Sequence, residues 1–192
     1  GFMDSLAEGF KLMVPAVTIL IFAWSLKGVG DALGLADFVG HVVGDNASAS
    51  IFIPAVLFIA AVFLSFSTGT SWGTFAILVP IATALFSGGT DLEMMIVSVS
   101  AVLAGAVCGD HISPISDTTV MSSAGAQSNH INHVSTQMQY ALVVMIVSLI
   151  GYLLAGIVQV WWIVLGFGLI LLLAVLTVMR MTLGKKPVNR EG

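Results

Sequence analysis

The stretch Ala106-Val107-Cys108-Gly109-Asp110-His111-Ile112-Ser113-Pro114-Ile115-Ser116-Asp117-Thr118-Thr119 decides the fold. Two carboxylates, a histidine, two serines and two threonines fall between Asp110 and Thr119, in a chain that is otherwise mostly apolar. Before this stretch, Met94 to Val107 is apolar enough for a membrane helix; after it, Val120 to Ala126 is short and built of small residues. Pro114 has no N–H to donate and its ring clashes with the preceding turn, so Ile112 to Asp117 is predicted to leave the helix. A polar, non-helical segment at membrane depth survives only where protein covers it or where it lines a wet cavity. Such segments mark ion and substrate pathways.

The surrounding composition sets the solvent. Of 192 residues, 58% are hydrophobic and 8% are charged, and the mean hydropathy is +1.07. A soluble domain carries about 25% charged residues, so the expected class is an all-α integral membrane protein. The net charge of −4 comes with no basic patch outside the C-terminal tail, which argues against nucleic acid as a partner. Cys108 stands alone, so no internal disulfide forms, and its apolar setting makes it a small packing residue. The chain begins at Gly1 and no secretory signal precedes its first apolar run. The expectation is the C-terminal part of a longer transporter, since secondary transporters are often built from two inverted repeats.

Asp4 to Lys11 reads as an aqueous lead-in, and residues 12–26 as a first transmembrane helix with Trp24 as an interface anchor. Gly28 to Asn46 reads as an outside segment with a short amphipathic helix at 35–43. Residues 51–87 hold two apolar arms, Ile51 to Phe66 and Thr74 to Phe86, around Ser67-Thr68-Gly69-Thr70-Ser71-Trp72-Gly73. The arms reach about 24 Å and about 20 Å, short of a bilayer core of about 30 Å. Together they are too long for one crossing, so a re-entrant hairpin is expected. Residues 94–126 form a broken transmembrane helix interrupted at Gly109, its second half resuming near Thr118. Ser128 to Gln137 is a polar connection, and residues 138–158 and 161–181 are two further crossings.

Arg180, Lys185, Lys186 and Arg190 are four of the six basic residues, which places the C-terminus in the cytoplasm. Counting back, a hairpin over 51–87 puts Lys11 inside, whereas a single crossing there would put it outside.

Helices that end inside a membrane expose carbonyls at one end and N–H groups at the other. Carbonyls, hydroxyls and carboxylates are hard oxygen ligands of the kind an alkali cation takes. Asp110, Ser113, Ser116, Asp117, Thr118 and Thr119 supply them from one break; Thr68, Thr70, Ser71 and Thr74 supply them from the other. Gly69, Gly73 and Gly109 allow close backbone approach. Asp117 or Ser116 also suits an N-cap for the second half-helix. Asp110 sits at a helix C-terminus, where dipole and desolvation both disfavour the anion and so favour proton uptake. His111 is read as a hydrogen-bonded partner, since imidazole prefers transition metals. His130 and His133 are read as solvated loop residues.

Gly109-Asp110-His111-Ile112-Ser113-Pro114-Ile115-Ser116-Asp117-Thr118-Thr119 resembles the Gly-Asp-x-x-Ser-Pro-x-Ser-Asp-Thr-Thr signature of the NhaC-type Na⁺/H⁺ antiporter family. Thr68-Gly69-Thr70-Ser71-Trp72-Gly73-Thr74 resembles that family's upstream polar motif. The resemblance covers most of the chain. It implies one repeat of an inverted-repeat ion transporter, pairing a re-entrant hairpin with a broken helix. The N-terminal half, and with it half of the binding site, would lie elsewhere.

The expected function is Na⁺/H⁺ antiport in which Na⁺ and H⁺ compete at Asp110 and Asp117. No cofactor is expected beyond the transported ions, nor enzymatic activity. The partners are Na⁺, H⁺, the bilayer and the N-terminal half, and a second copy could form a homodimer. The location is a bacterial inner membrane. The alternative is Na⁺- or H⁺-coupled exchange of an organic acid or amino acid, although neither break holds the Arg or Lys that would bind a carboxylate. An intramembrane aspartyl protease needs Gly-x-Gly-Asp, and here Val107 stands where its first glycine would be. A passive channel would differ by its much larger currents.

Overall fold

The computed structural model describes residues 2–8, 50–86 and 92–183, with isolated positions between residues 10 and 34. The expected crossing at 12–26 and the outside segment at 28–46 therefore lie outside the described residues. Among the described residues there is no strand. The helices that build the bundle are α1 (Ile53–Thr68), α2 (Ser71–Leu85), α3 (Leu92–Ile112), α4 (Asp117–Gly125), α5 (His130–Val158) and α6 (Trp161–Leu183).

Pro54 lies in the first turn of α1, where a missing N–H costs nothing. The helix stops at Gly69, whose φ of +69° is left-handed and whose N–H bonds Ser65 O at 2.8 Å. Only Gly69 and Thr70 separate α1 from α2, so the interruption is shorter than the seven-residue polar run at 67–73 suggested. The two helices fold back on each other. Leu57 near the start of α1 shares a buried cluster with Ala82 near the end of α2, and Ile53 and Leu85 pack against it.

Helix α3 runs parallel to α1 and makes with it the broadest helix–helix contact among the described residues. The register is legible from the small residues. A Cβ on Gly105 would strike the Phe58 carbonyl, and one on Gly109 would strike the Val62 carbonyl. Four residues further on, Ser113 Oγ donates to Phe66 O at 2.8 Å. Small residues spaced four apart let helix backbones meet, the arrangement that drives association within lipid. Ala101, Gly105 and Gly109 are all buried on this face.

The expected break at Gly109 is displaced. Helix α3 continues through Gly109 and Asp110 to Ile112, and the chain leaves the helix only over residues 113–116. The cause is Pro114, which disfavours helix at Ser113 and cannot give an N–H to Asp110 O. Ser113 N takes that carbonyl instead, at 3.2 Å, in a tighter turn.

Helix α5 begins at His130 rather than Met138, because Asn129 caps it by accepting Asn132 N at 3.1 Å. It returns against α1 and α3. Tyr152 lies 5.3 Å from Phe58 between ring centroids and donates to Ser100 O at 3.0 Å. Gly156 abuts the Ile51 carbonyl. Gln159, at φ +53°, turns the chain into α6, which lies on α5 with most of its apolar surface uncovered. Helices α3, α5 and α6 are long and apolar enough to cross a bilayer. Helices α1 and α2, at 16 and 15 residues, are shorter.

Candidate functional site

The parallel register of α1 and α3 brings both C-terminal ends to one place. Gly69 lies so close to the turn after α3 that a Cβ would stand 2.6 Å from Ile115 O. With Ser113 bonded to Phe66 O, the turn between α1 and α2 and the break between α3 and α4 form one structure.

Asp110 is at its centre, 4% exposed in the last turn of α3. A buried carboxylate needs hydrogen bonds to its charged form. The segment after the break provides them. Ser116 Oγ donates to Asp110 Oδ1 at 2.7 Å, and Thr118 Oγ1 donates to Oδ2 at 3.2 Å. The first distance lies in the range of a charge-assisted hydroxyl–carboxylate bond. Ser116 Oγ also accepts Thr119 N at 3.3 Å, so Ser116 is the residue that caps α4. One hydroxyl therefore both starts the second half-helix and holds the carboxylate that ends the first. A carboxylate offers about four lone-pair directions, and these two bonds use only two of them.

The remaining expected residues divide into two groups. Ser113 and Thr119 are buried beside the break, and Pro114 forms its turn. Asp117 is exposed, and its Oδ1 accepts Thr118 N at 2.7 Å. His111 is exposed, its Nδ1 2.8 Å from Val107 O. Thr68 is exposed and donates to Leu64 O at 2.9 Å, while Thr70 and Ser71 are half-buried at the hairpin tip. Gly73 and Thr74 are buried in the first turn of α2, where Thr74 Oγ1 donates to Thr70 O at 3.1 Å. Among the described residues no three His, Cys, Asp or Glu side chains converge as a transition-metal site would require. The oxygen set around Asp110 suits a hard cation instead.

The histidines need correcting. His130 Nε2 lies 2.7 Å from Pro114 O and its Nδ1 3.1 Å from Ser123 Oγ, while His133 Nε2 lies 3.4 Å from Ser122 Oγ. They are engaged with the broken segment rather than solvated in a loop. Asn129, standing before them as a cap, was the available sequence signal that they begin a helix.

Residues 1–157 match the Na⁺/H⁺ antiporter family. The chain belongs to that family. An uncharacterized Haemophilus influenzae protein is 43% identical over 155 residues, which are 81% of this chain and 30% of the relative. A Haemophilus influenzae protein described as an uncharacterized Na⁺/H⁺ antiporter is 31% identical over 154 residues, 80% of this chain and 32% of the relative. The Bacillus subtilis malate-2H⁺/Na⁺-lactate antiporter is 28% identical over 158 residues, 80% of this chain and 33% of the relative. The chain thus spans about a third of the length of the curated relatives it matches. No solved structure matches it. Membership in this family, with helices of spanning length and apolar surface, makes this an integral membrane protein.

Proposed function

We propose that this chain is the C-terminal repeat of an NhaC-type secondary antiporter, in which Na⁺ and H⁺ compete for the carboxylate of Asp110. The observation that carries the reading is a buried aspartate in a hydroxyl shell where two helix ends meet. The carboxylate serves both ions. It offsets the desolvation of a cation in a low-dielectric site, and it is the group that takes the proton. Exchange follows if the site cannot reorient while empty and charged.

In this reading α1 and α2 form a hairpin that enters and leaves the membrane on one side. At about 24 Å and about 23 Å, neither arm spans a core of about 30 Å. Asp117, Thr68, Thr70 and Ser71 complete the site from its exposed side, against an inverted N-terminal repeat that covers the polar tip. Arg180 and the basic residues after it hold the C-terminus in the cytoplasm of a bacterium.

A second reading, exchange of an organic acid coupled to Na⁺ or H⁺, is favoured by the likeness to the malate/lactate antiporter of Bacillus subtilis. One experiment separates the two. The complete protein is reconstituted in vesicles with an internal pH dye, and Na⁺, Li⁺, K⁺, malate and lactate are added in turn. Proton release on Na⁺ alone supports Na⁺/H⁺ antiport. Release that requires malate or lactate supports the second reading, and no release with any of them contradicts both.

A further inference from the structure

The break between α3 and α4 is held at three points. Ser113 is bonded to Phe66 O on α1, and Ile115 is pressed against Gly69 at the hairpin tip. The third point is the carbonyl of Pro114. The neighbouring carbonyls are engaged by backbone N–H groups: Asp110 O by Ser113, Ser113 O by Ser116 and Ser116 O by Val120. The Pro114 carbonyl instead meets His130 Nε2 at 2.7 Å, a contact made across 16 residues.

We propose that His130 is a positioning residue that fixes the conformation of residues 113–116 and so places the hydroxyls of Ser116 and Thr118 on Asp110. A carbonyl oxygen only accepts, so Nε2 carries the proton of this bond. The other ring nitrogen is oriented by Ser123 Oγ, 3.1 Å away on α4. The imidazole thereby ties the turn to the half-helix that follows it, while Asn129 fixes the histidine's own backbone at the start of α5. Two residues beyond Pro114, Ser116 gives its proton to Asp110. A shift of the Pro114 peptide therefore moves the carboxylate's donors, although His130 touches neither carboxylate nor ion. This is the arrangement in which a site is held by groups that support its ligands rather than by the ligands alone.

The functional part of this proposal rests on the antiport reading above; the structural part does not. The test uses the complete protein in its wild-type form and as His130→Ala, His130→Gln and Ser123→Ala. Amide hydrogen exchange of the peptide covering residues 113–119 reports the turn itself. Na⁺-dependent proton flux reports half-saturation and maximal rate. In His130→Ala these amides should exchange about fivefold faster and half-saturating Na⁺ should rise about fivefold, the effect of losing one ordinary hydrogen bond. The maximal rate should change less. His130→Gln retains a donor for the Pro114 carbonyl and should restore both values to within about twofold. Ser123→Ala keeps the ring but not its orienting hydroxyl, and should shift the amides in the same direction by less. Amides that exchange as in wild type in both His130→Ala and Ser123→Ala would overturn the proposal. So would a glutamine variant that resembles the alanine variant. If Asp110→Asn retains exchange, the role of Asp110 as the shared ion site falls, while the amide data still decide the role of His130.

Discussion

Ser116 Oγ lies 2.7 Å from Asp110 Oδ1, joining the last turn of one half-helix to the cap of the next across a four-residue break. The bond makes the geometry of the break and the environment of the carboxylate a single property. A change in either should be felt in both.

Ser116→Ala removes the hydroxyl that caps α4 and the closest donor to Asp110. Loss of a cap costs about 1 kcal/mol, and loss of the carboxylate bond adds to it. The melting temperature should fall and half-saturating Na⁺ should change. Ser113→Ala, which loses the tie to Phe66 O, should be milder for ion affinity, as should Thr119→Ala, because neither side chain donates to Asp110. Flux and melting curves on the three variants check the ranking.

Asp117→Asn now tests one role rather than two. Ser116 is the cap, so the Asp117 carboxylate is not needed to start α4. Asparagine can keep the bond to Thr118 N through its side-chain carbonyl. The variant should fold normally and lose exchange, because the proposed ion role is what remains. Normal folding with normal flux would remove Asp117 from the ion site.

Gly109→Ala tests the helix contact that sets the break. The new methyl would meet the Val62 carbonyl and lie 3.0 Å from Phe66 N. The helices must separate to admit it, which for an overpacked core costs about 1–3 kcal/mol. Gly69→Ala adds a left-handed φ to a similar clash with Ile115 O and should be at least as damaging. Thermal unfolding in detergent measures both.

The parallel run of α1 and α3 predicts labelling. Phe52 and Leu92, both exposed near the starts of these helices, belong on one side of the membrane. Ile131 and Met181, at the far ends of α5 and α6, belong on the other. Membrane-impermeant thiol reagents applied to Phe52→Cys and Leu92→Cys should react from the same face. Reaction from opposite faces would exclude a re-entrant hairpin.

Much of this arrangement was legible in the residues. Pro114 announced a break, and Gly69 with its hydroxyl neighbours announced a second one. The apolar runs were long enough in some places and too short in others to suggest a hairpin. The register between α1 and α3 was not legible, because Gly105 gains its meaning only from the Phe58 carbonyl opposite it. The same holds for His130. Its partner is a backbone carbonyl 16 residues away, and no side-chain pattern marks a carbonyl left without a backbone donor. The polarity of Ser128 to Gln137 suggested a loop, whereas the Asn129 cap starts a helix there whose first turns are polar. The displaced break has the same kind of cause: glycine permits an interruption, and proline enforces one.

Competition between ions gives a pH dependence. A proton on Asp110 occupies the carboxylate that Na⁺ needs, so acidification should raise half-saturating Na⁺ and leave the maximal rate at saturating Na⁺ little changed. Half-saturating Na⁺ that stays constant on acidification while flux persists would separate the proton site from the Na⁺ site.

The central claim is that Asp110 carries both ions, and Asp110→Asn tests it most directly. The amide keeps the shape of the side chain and can still accept the Ser116 hydroxyl, but it neither takes the proton nor neutralises a cation. Na⁺-dependent proton flux should be measured in vesicles carrying equal amounts of the complete wild-type and variant proteins, with matching melting temperatures. The account predicts wild-type exchange and none in Asp110→Asn at any pH; wild-type flux in the variant would contradict it.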